Sequence, residues 1–200
     1  MKKRKVLIQP MVFVFLIGTL LTDRSGVGAL TMLAAFLHEG GHLLAAKIMQ
    51  IPLRNLRLDL LGARLDVAGR IVSYSEEWLL CAAGPITSLL CSALVAPFWQ
   101  LSQFAVIFSC ASLLLGLLNL LPITTFDGGR MLESFLLSFT TIENTRRIMK
   151  GFTFLFLFLL WASAVYFLLR SNDGLSLLCF SMSLFGRFFE KETSEGSSIK

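Results

Sequence analysis

Apolar stretches broken by short polar intervals dominate this chain, and six of them read as membrane spans: about 6–22, 27–49, 78–97, 104–121, 151–169 and 175–189. Several fall short of the roughly 20 residues that a straight helical crossing needs. Trp78 and Trp99 bracket the third at a helical separation of about 31 Å, which suits two interfacial aromatic anchors. Between the second and third stretches the period changes. Leu56, Leu58 and Leu60 alternate with Arg57 and Asp59, and beyond Leu61-Gly62 Leu65 and Val67 alternate with Arg64 and Asp66. A period of two on both sides of a glycine predicts a β-hairpin.

Thr140 and Glu143 have capping-box spacing, and Glu143 can pair with Arg147 four residues on. They predict a helix that starts near Thr141 and runs into the fifth span. The whole pattern predicts an all-α polytopic membrane protein with about six transmembrane helices and a small membrane-associated β-hairpin between the second and third. Residues 1–189 form one domain, and 190–200 are a loose, polar, cytoplasmic tail.

Composition agrees with a bilayer as the solvent. The 200 residues are 55% hydrophobic and 16% charged, against roughly 25% charged in soluble domains, and the mean hydropathy is +0.73. The net charge of +5 is distributed by topology and not as a nucleic-acid patch. Of the 18 Lys and Arg, only Arg24 and Arg170 fall in outer loops, with Lys47 near a helix end. The others lie in segments that are cytoplasmic if both termini are inside. Lys2-Lys3-Arg4-Lys5 and the run after it resemble a signal peptide, but the run ends in Thr22-Asp23-Arg24 without a small-residue cleavage site. It reads as a retained anchor. Cys81, Cys91, Cys110 and Cys179 lack the close pairing of a thiolate metal site or a disulfide framework.

The chemistry concentrates in His38-Glu39-Gly40-Gly41-His42, inside the second apolar stretch. These are the only two histidines in the chain. Four residues apart on a helix, they share a face and can reach one ion, with Glu39 placed to contact water on it. A charge at the centre of a membrane helix costs about 2.5 to 3.5 kcal/mol, so a compensating role is expected. Gly40 and Gly41 each oppose helix formation by about 1 kcal/mol relative to alanine. Close approach of a helix or of substrate backbone would offset this, as would tight packing alone.

An open zinc site needs a third protein ligand, and a carboxylate suits it best. Asp127 follows the fourth stretch in Asn119-Leu120-Leu121-Pro122-Ile123-Thr124-Thr125-Phe126-Asp127-Gly128-Gly129-Arg130. Pro122 interrupts the helix, and Gly128-Gly129 allows a sharp turn beside the carboxylate. Asp127 is either a cap on a short helix or the missing ligand. The topology favours the ligand, because a span returning to the cytoplasmic side at Leu121 brings Asp127 toward the second helix.

The pairing of this HExxH with a distal N-x-x-P-x-x-x-x-D-G resembles the site-2 protease family of intramembrane zinc metalloproteases, over about 31–130. Ala83-Gly84-Pro85 resembles a further, weaker family motif. Thr125 and Phe126 stand where many members have proline and leucine. The resemblance implies one zinc ion held by His38, His42 and Asp127, with Glu39 as general base and Asn119 near substrate. The residues alone leave Asn119 open between a substrate or oxyanion contact and a helix-end hydrogen bond. A strand of the hairpin, 56–60 or 65–70, can hold an unwound substrate by strand addition, or the hairpin merely lies at the interface.

Six spans and no stretch long enough for a PDZ domain look most like the stage IV sporulation protease (FB) branch, which processes a sigma-factor precursor. The resemblance implies a bacterial cell membrane, a membrane-protein substrate and regulatory membrane partners. The tail is too short for the CBS domain often found there. Two rivals are a silent binding protein of the same fold and a divalent-metal transporter. Glu39 argues against the first. Transport would call for further polar groups along a path across the bilayer, whereas the other spans offer mostly Ser, Thr and Cys, which argues against the second.

Overall fold

The computed structural model describes residues 5–8, 23, 25–51, 53–59, 62–67, 72–171 and 175–197. Residues 9–22, the bulk of the first expected span, lie outside them. The start of that span is not helical. Lys5–Ile8 forms strand β1, parallel to β2 (Leu53–Asp59), with Val6 opposite Leu56 and Ile8 opposite Leu58. Val6-Leu7-Ile8 is rich in residues that suit a pleated strand, and β2 offers it a backbone partner.

Strand β3 (Gly62–Val67) pairs antiparallel with β2, from Leu53 opposite Val67 to Asp59 opposite Gly62, with an irregularity between Leu53 and Asn55. The order β1-β2-β3 leaves β2 paired on both sides. Backbone groups for a further strand are therefore offered by the outer strands β1 and β3, not by 56–59 in β2.

Six helices follow among the described residues: α1 (Val27–Ile48), α2 (Tyr74–Val95), α3 (Gln103–Asn119), α4 (Asp127–Leu137), α5 (Ile142–Ser171) and α6 (Leu175–Ser197). Tyr74–Phe98 and Ile142–Arg170 are long and apolar enough to cross a membrane, with mean hydropathies of 2.0 and 2.3. Helix α3 is a shorter apolar helix of 17 residues. Helix α1 has 22 residues, but its His-Glu-Gly-Gly-His segment dilutes the apolar run.

The helix starts follow their caps. Ser73 and Glu76 form a reciprocal capping box at α2, with bonds of 3.0 and 3.3 Å. Ser102 accepts from the Phe104 amide at α3. At α5 the expected cap is displaced by one residue. The Thr140 hydroxyl bonds the Leu136 carbonyl and Thr145, and Thr141 accepts from the Asn144 amide. Glu143 and Arg147 do pair, at 3.3 Å. The tail expected to be loose from 190 continues α6 to Ser197.

Helix α2 is central and packs against α1, α3 and α4, while α5 and α6 pack together and α5 also packs against α4. The interior holds polar side chains, among them Ser88, Ser92, Ser112, Thr153 and Ser181. The outside carries exposed Phe36, Leu44, Leu90, Leu94, Leu114, Phe154 and Leu159. Apolar residues outside and small hydroxyls between helices are the packing scheme of a bundle solvated by lipid.

Candidate metal centre

Helix α1 presents His38 and His42 on one face, both buried, their ring centroids 5.0 Å apart. Asp127 reaches them from the first position of α4. Its Oδ2 lies 3.1 Å from His38 Nε2 and 3.2 Å from His42 Nε2. One ligand atom from each of the three residues lies within 4.8 Å of the others.

Asp127 was expected on a turn, with Gly128 and Gly129 supplying backbone freedom. Both glycines are instead in the first turn of α4. A Cβ at 128 would collide with the Leu120 carbonyl, and one at 129 with the Ile123 carbonyl. They are glycines because α4 starts in contact with the loop that precedes it. That loop is anchored from below. Ile123 is 1% exposed and packs with Leu157 of α5 and Leu184 of α6, and the Thr124 amide donates to Thr153 Oγ1. Arg130, one turn beyond Asp127, ties α4 to Glu77 of α2 at 3.1 Å.

The donor set fits a cation. His42 Nδ1 lies 2.8 Å from the Leu80 carbonyl, which can only accept, so the Nδ1 carries a hydrogen. In the neutral ring the His42 Nε2 is then a bare lone pair, and it faces a carboxylate oxygen. Burial opposes the charge on Asp127, yet hydrogen bonds from His38 and His42 outweigh it and hold the carboxyl down at about 2. For His42 such a bond requires the imidazolium. A divalent cation supplies the same positive charge without the proton. Donors about 2.0 to 2.2 Å from a tetrahedral zinc lie about 3.3 Å apart, close to the observed 3.1 and 3.2 Å.

Glu39 is half-buried on α1 next to His38. Asn119, at the last turn of α3, donates from Nδ2 to the Leu115 carbonyl at 3.0 Å, the helix-end bond that its position allows. The two α1 glycines differ. A Cβ on Gly41 would collide with Thr87 and lie 2.8 Å from the Ala83 carbonyl, whereas one on Gly40 would meet nothing within 4 Å. Helix α2 therefore accounts for Gly41, and Gly40 faces open space.

Sequence reasoning missed what α2 contributes. Leu80 bonds His42, Ser88 Oγ lies 2.9 Å from His38 Nδ1, and a Cβ on Gly84 would collide with Nε2 of both rings. The four-residue spacing of Gly84 and Ser88, equal to that of the histidines, was the available signal.

A buried His-His-Asp cluster beside a helical glutamate, carried on apolar helices, is a donor set that could hold one divalent cation. Comparison with known proteins narrows the reading. The model of peptidase family M50 matches residues 95–163. The protein named "Putative zinc metalloprotease Rip3", from two strains of Mycobacterium tuberculosis, is 32% identical over 120 residues. That match covers 54% of this chain and 30% of the relative, so the chain spans under a third of its length. The structure of a site-2 protease from Methanocaldococcus jannaschii superposes with a TM-score of 0.62 over 95% of this chain and 91% of that one, at 20% identity. The chain has the site-2 protease fold. The chain is thus similar in sequence to M50 peptidases over part of its length, and similar in fold to a site-2 protease over nearly all of it.

Proposed function

We propose that the protein is an intramembrane zinc endopeptidase that cleaves a membrane-associated protein within or beside its transmembrane segment. The observation that carries this reading is the convergence of His38 Nε2 and His42 Nε2 on one Asp127 oxygen, at 3.1 and 3.2 Å, between apolar helices. In this reading His38, His42 and Asp127 hold one zinc ion. When bound, zinc acidifies its water and polarises the scissile carbonyl.

Glu39 takes the proton from the attacking water and returns it to the leaving amine. A helical substrate hides its carbonyls in backbone hydrogen bonds, so it has to unwind locally before attack. Residues 65–67 of β3, at an edge of the sheet, are placed to hold the unwound segment by strand addition. Asn119 can contact substrate through Oδ1 or its second amide hydrogen while Nδ2 stays bonded to the Leu115 carbonyl.

We take the chain to be multi-pass, with six spans, both termini cytoplasmic and 1–189 as the protease domain, in a bacterial cell membrane. Its substrate is then a membrane-bound regulator, a sigma-factor precursor being the case in the branch it resembles.

Co-expression of wild type and Glu39→Gln with candidate membrane substrates tests the function. The expected result is a cut mapped to the transmembrane region with wild type, and zinc retained but no cut with Glu39→Gln. Unchanged cleavage by the variant would overturn the mechanism.

A further inference from the structure

Helix α2 meets the two histidines in register. Leu80, Gly84 and Ser88 are four residues apart, so they form one stripe along α2, with a rise of about 6 Å per step. His42 and His38 have the same step on α1, running the other way. Leu80 therefore faces His42, Ser88 faces His38, and Gly84 lies between them.

We propose that this stripe of α2 is the template of the metal centre: Ser88 is the positioning residue for His38, as the Leu80 carbonyl is for His42, and Gly84 leaves the volume the ion needs. The inference rests on the metalloprotease reading. A histidine ligand needs its second nitrogen bonded so that the first keeps its lone pair and its aim. The His42 ring gets this from the Leu80 carbonyl at 2.8 Å, and the His38 ring from the Ser88 hydroxyl at 2.9 Å. Both histidines and Ser88 are buried, Ser88 to 1% exposure, so water does not substitute for the hydroxyl.

The serine is used differently from its helix neighbours. Thr87 bonds back to the Ala83 carbonyl at 2.8 Å, and Ser92 shares a bond with Ser109 of α3 at 3.1 Å. Ser88 points to the ligand instead. Gly84 has a steric role, since a methyl there would collide with both ligating nitrogens. Pro85 has no amide hydrogen, so this turn of α2 also lacks one helix bond.

The test uses the full chain in detergent, with zinc itself as the probe and its affinity read by chelator competition. Ser88→Ala is expected to bind zinc about 10- to 100-fold more weakly than wild type. The metal-free protein should stay folded, its melting temperature lowered by no more than the loss of one buried hydrogen bond, and the visible spectrum of the cobalt-loaded protein should be altered. Ser92→Ala, on the same seam but away from the rings, should match wild type. Gly84→Ala should keep its helical content and lose stoichiometric zinc.

Wild-type zinc affinity and cobalt spectrum in Ser88→Ala would overturn the inference and leave the metalloprotease reading standing. If wild type itself bound no zinc, that reading would fall and the inference with it.

Discussion

His42 and Leu80 are joined by a 2.8 Å bond from the ring Nδ1 to the backbone carbonyl, across the interface of α1 and α2. The bond commits the tautomer. In the neutral ring it leaves a lone pair at His42 Nε2 facing Asp127 Oδ2 at 3.2 Å, a repulsive arrangement that either a proton on Nε2 or a cation between the two relieves.

Removal of zinc should therefore destabilise the fold. At free zinc 100 times the dissociation constant, binding contributes about 2.7 kcal/mol. Thermal melting in detergent, with and without a strong chelator, should show a clear downward shift that added zinc reverses. A melting curve indifferent to chelator and zinc would remove the cation from the argument.

Asp127→Ala deletes a direct ligand and should weaken zinc binding by more than the ~100-fold upper range for residues that only orient ligands. Asp127→Asn keeps the shape and loses the charge, so it should fall between wild type and alanine. Metal content after dialysis at equal free zinc ranks the three. Full zinc in Asp127→Ala would call for another third ligand.

The two glycines of α1 should behave in opposite ways. Gly41→Ala drives a methyl into Thr87 and should cost about 1 to 3 kcal/mol through overpacking. Gly40→Ala meets open space and should stabilise α1 by up to about 1 kcal/mol. If the open side of Gly40 is where substrate backbone passes, Gly40→Val keeps zinc and loses cleavage. Melting curves, zinc content and a cleavage assay on one set of variants separate these effects.

Ile123→Ala tests whether the loop before α4 holds Asp127 in place. Emptying a site 1% exposed between Leu157 and Leu184 should cost about 2 to 5 kcal/mol. Zinc affinity should fall as well, because the Ile123 carbonyl lies against Gly129, two residues from the ligand. Lower stability with unchanged zinc affinity would mean that the Arg130 to Glu77 pair suffices to position α4.

The pairing of α1 chemistry with a distant carboxylate was legible because helical period and topology are local rules. Four residues between His38 and His42 dictate a shared face, and the return of the fourth apolar stretch dictates which side Asp127 reaches. The alternation around Leu61-Gly62 was likewise local. The partner of β2 was not, since nothing in Lys5-Val6-Leu7-Ile8 distinguishes a strand from the first turn of a span. The choice depends on whether another backbone lies alongside.

The candidate donors were legible in residue identity and spacing: two histidines four apart, a glutamate beside the first and a carboxylate after the fourth apolar stretch. How the rings are held depends on the packing of α1 against α2, because Leu80 acts through its carbonyl, which every residue has. Gly84 acts through the absence of a side chain, and Ser88 through a hydroxyl that in most helices bonds its own backbone. Such roles carry no residue signature. They exist only where α1 and α2 pack antiparallel in one particular register.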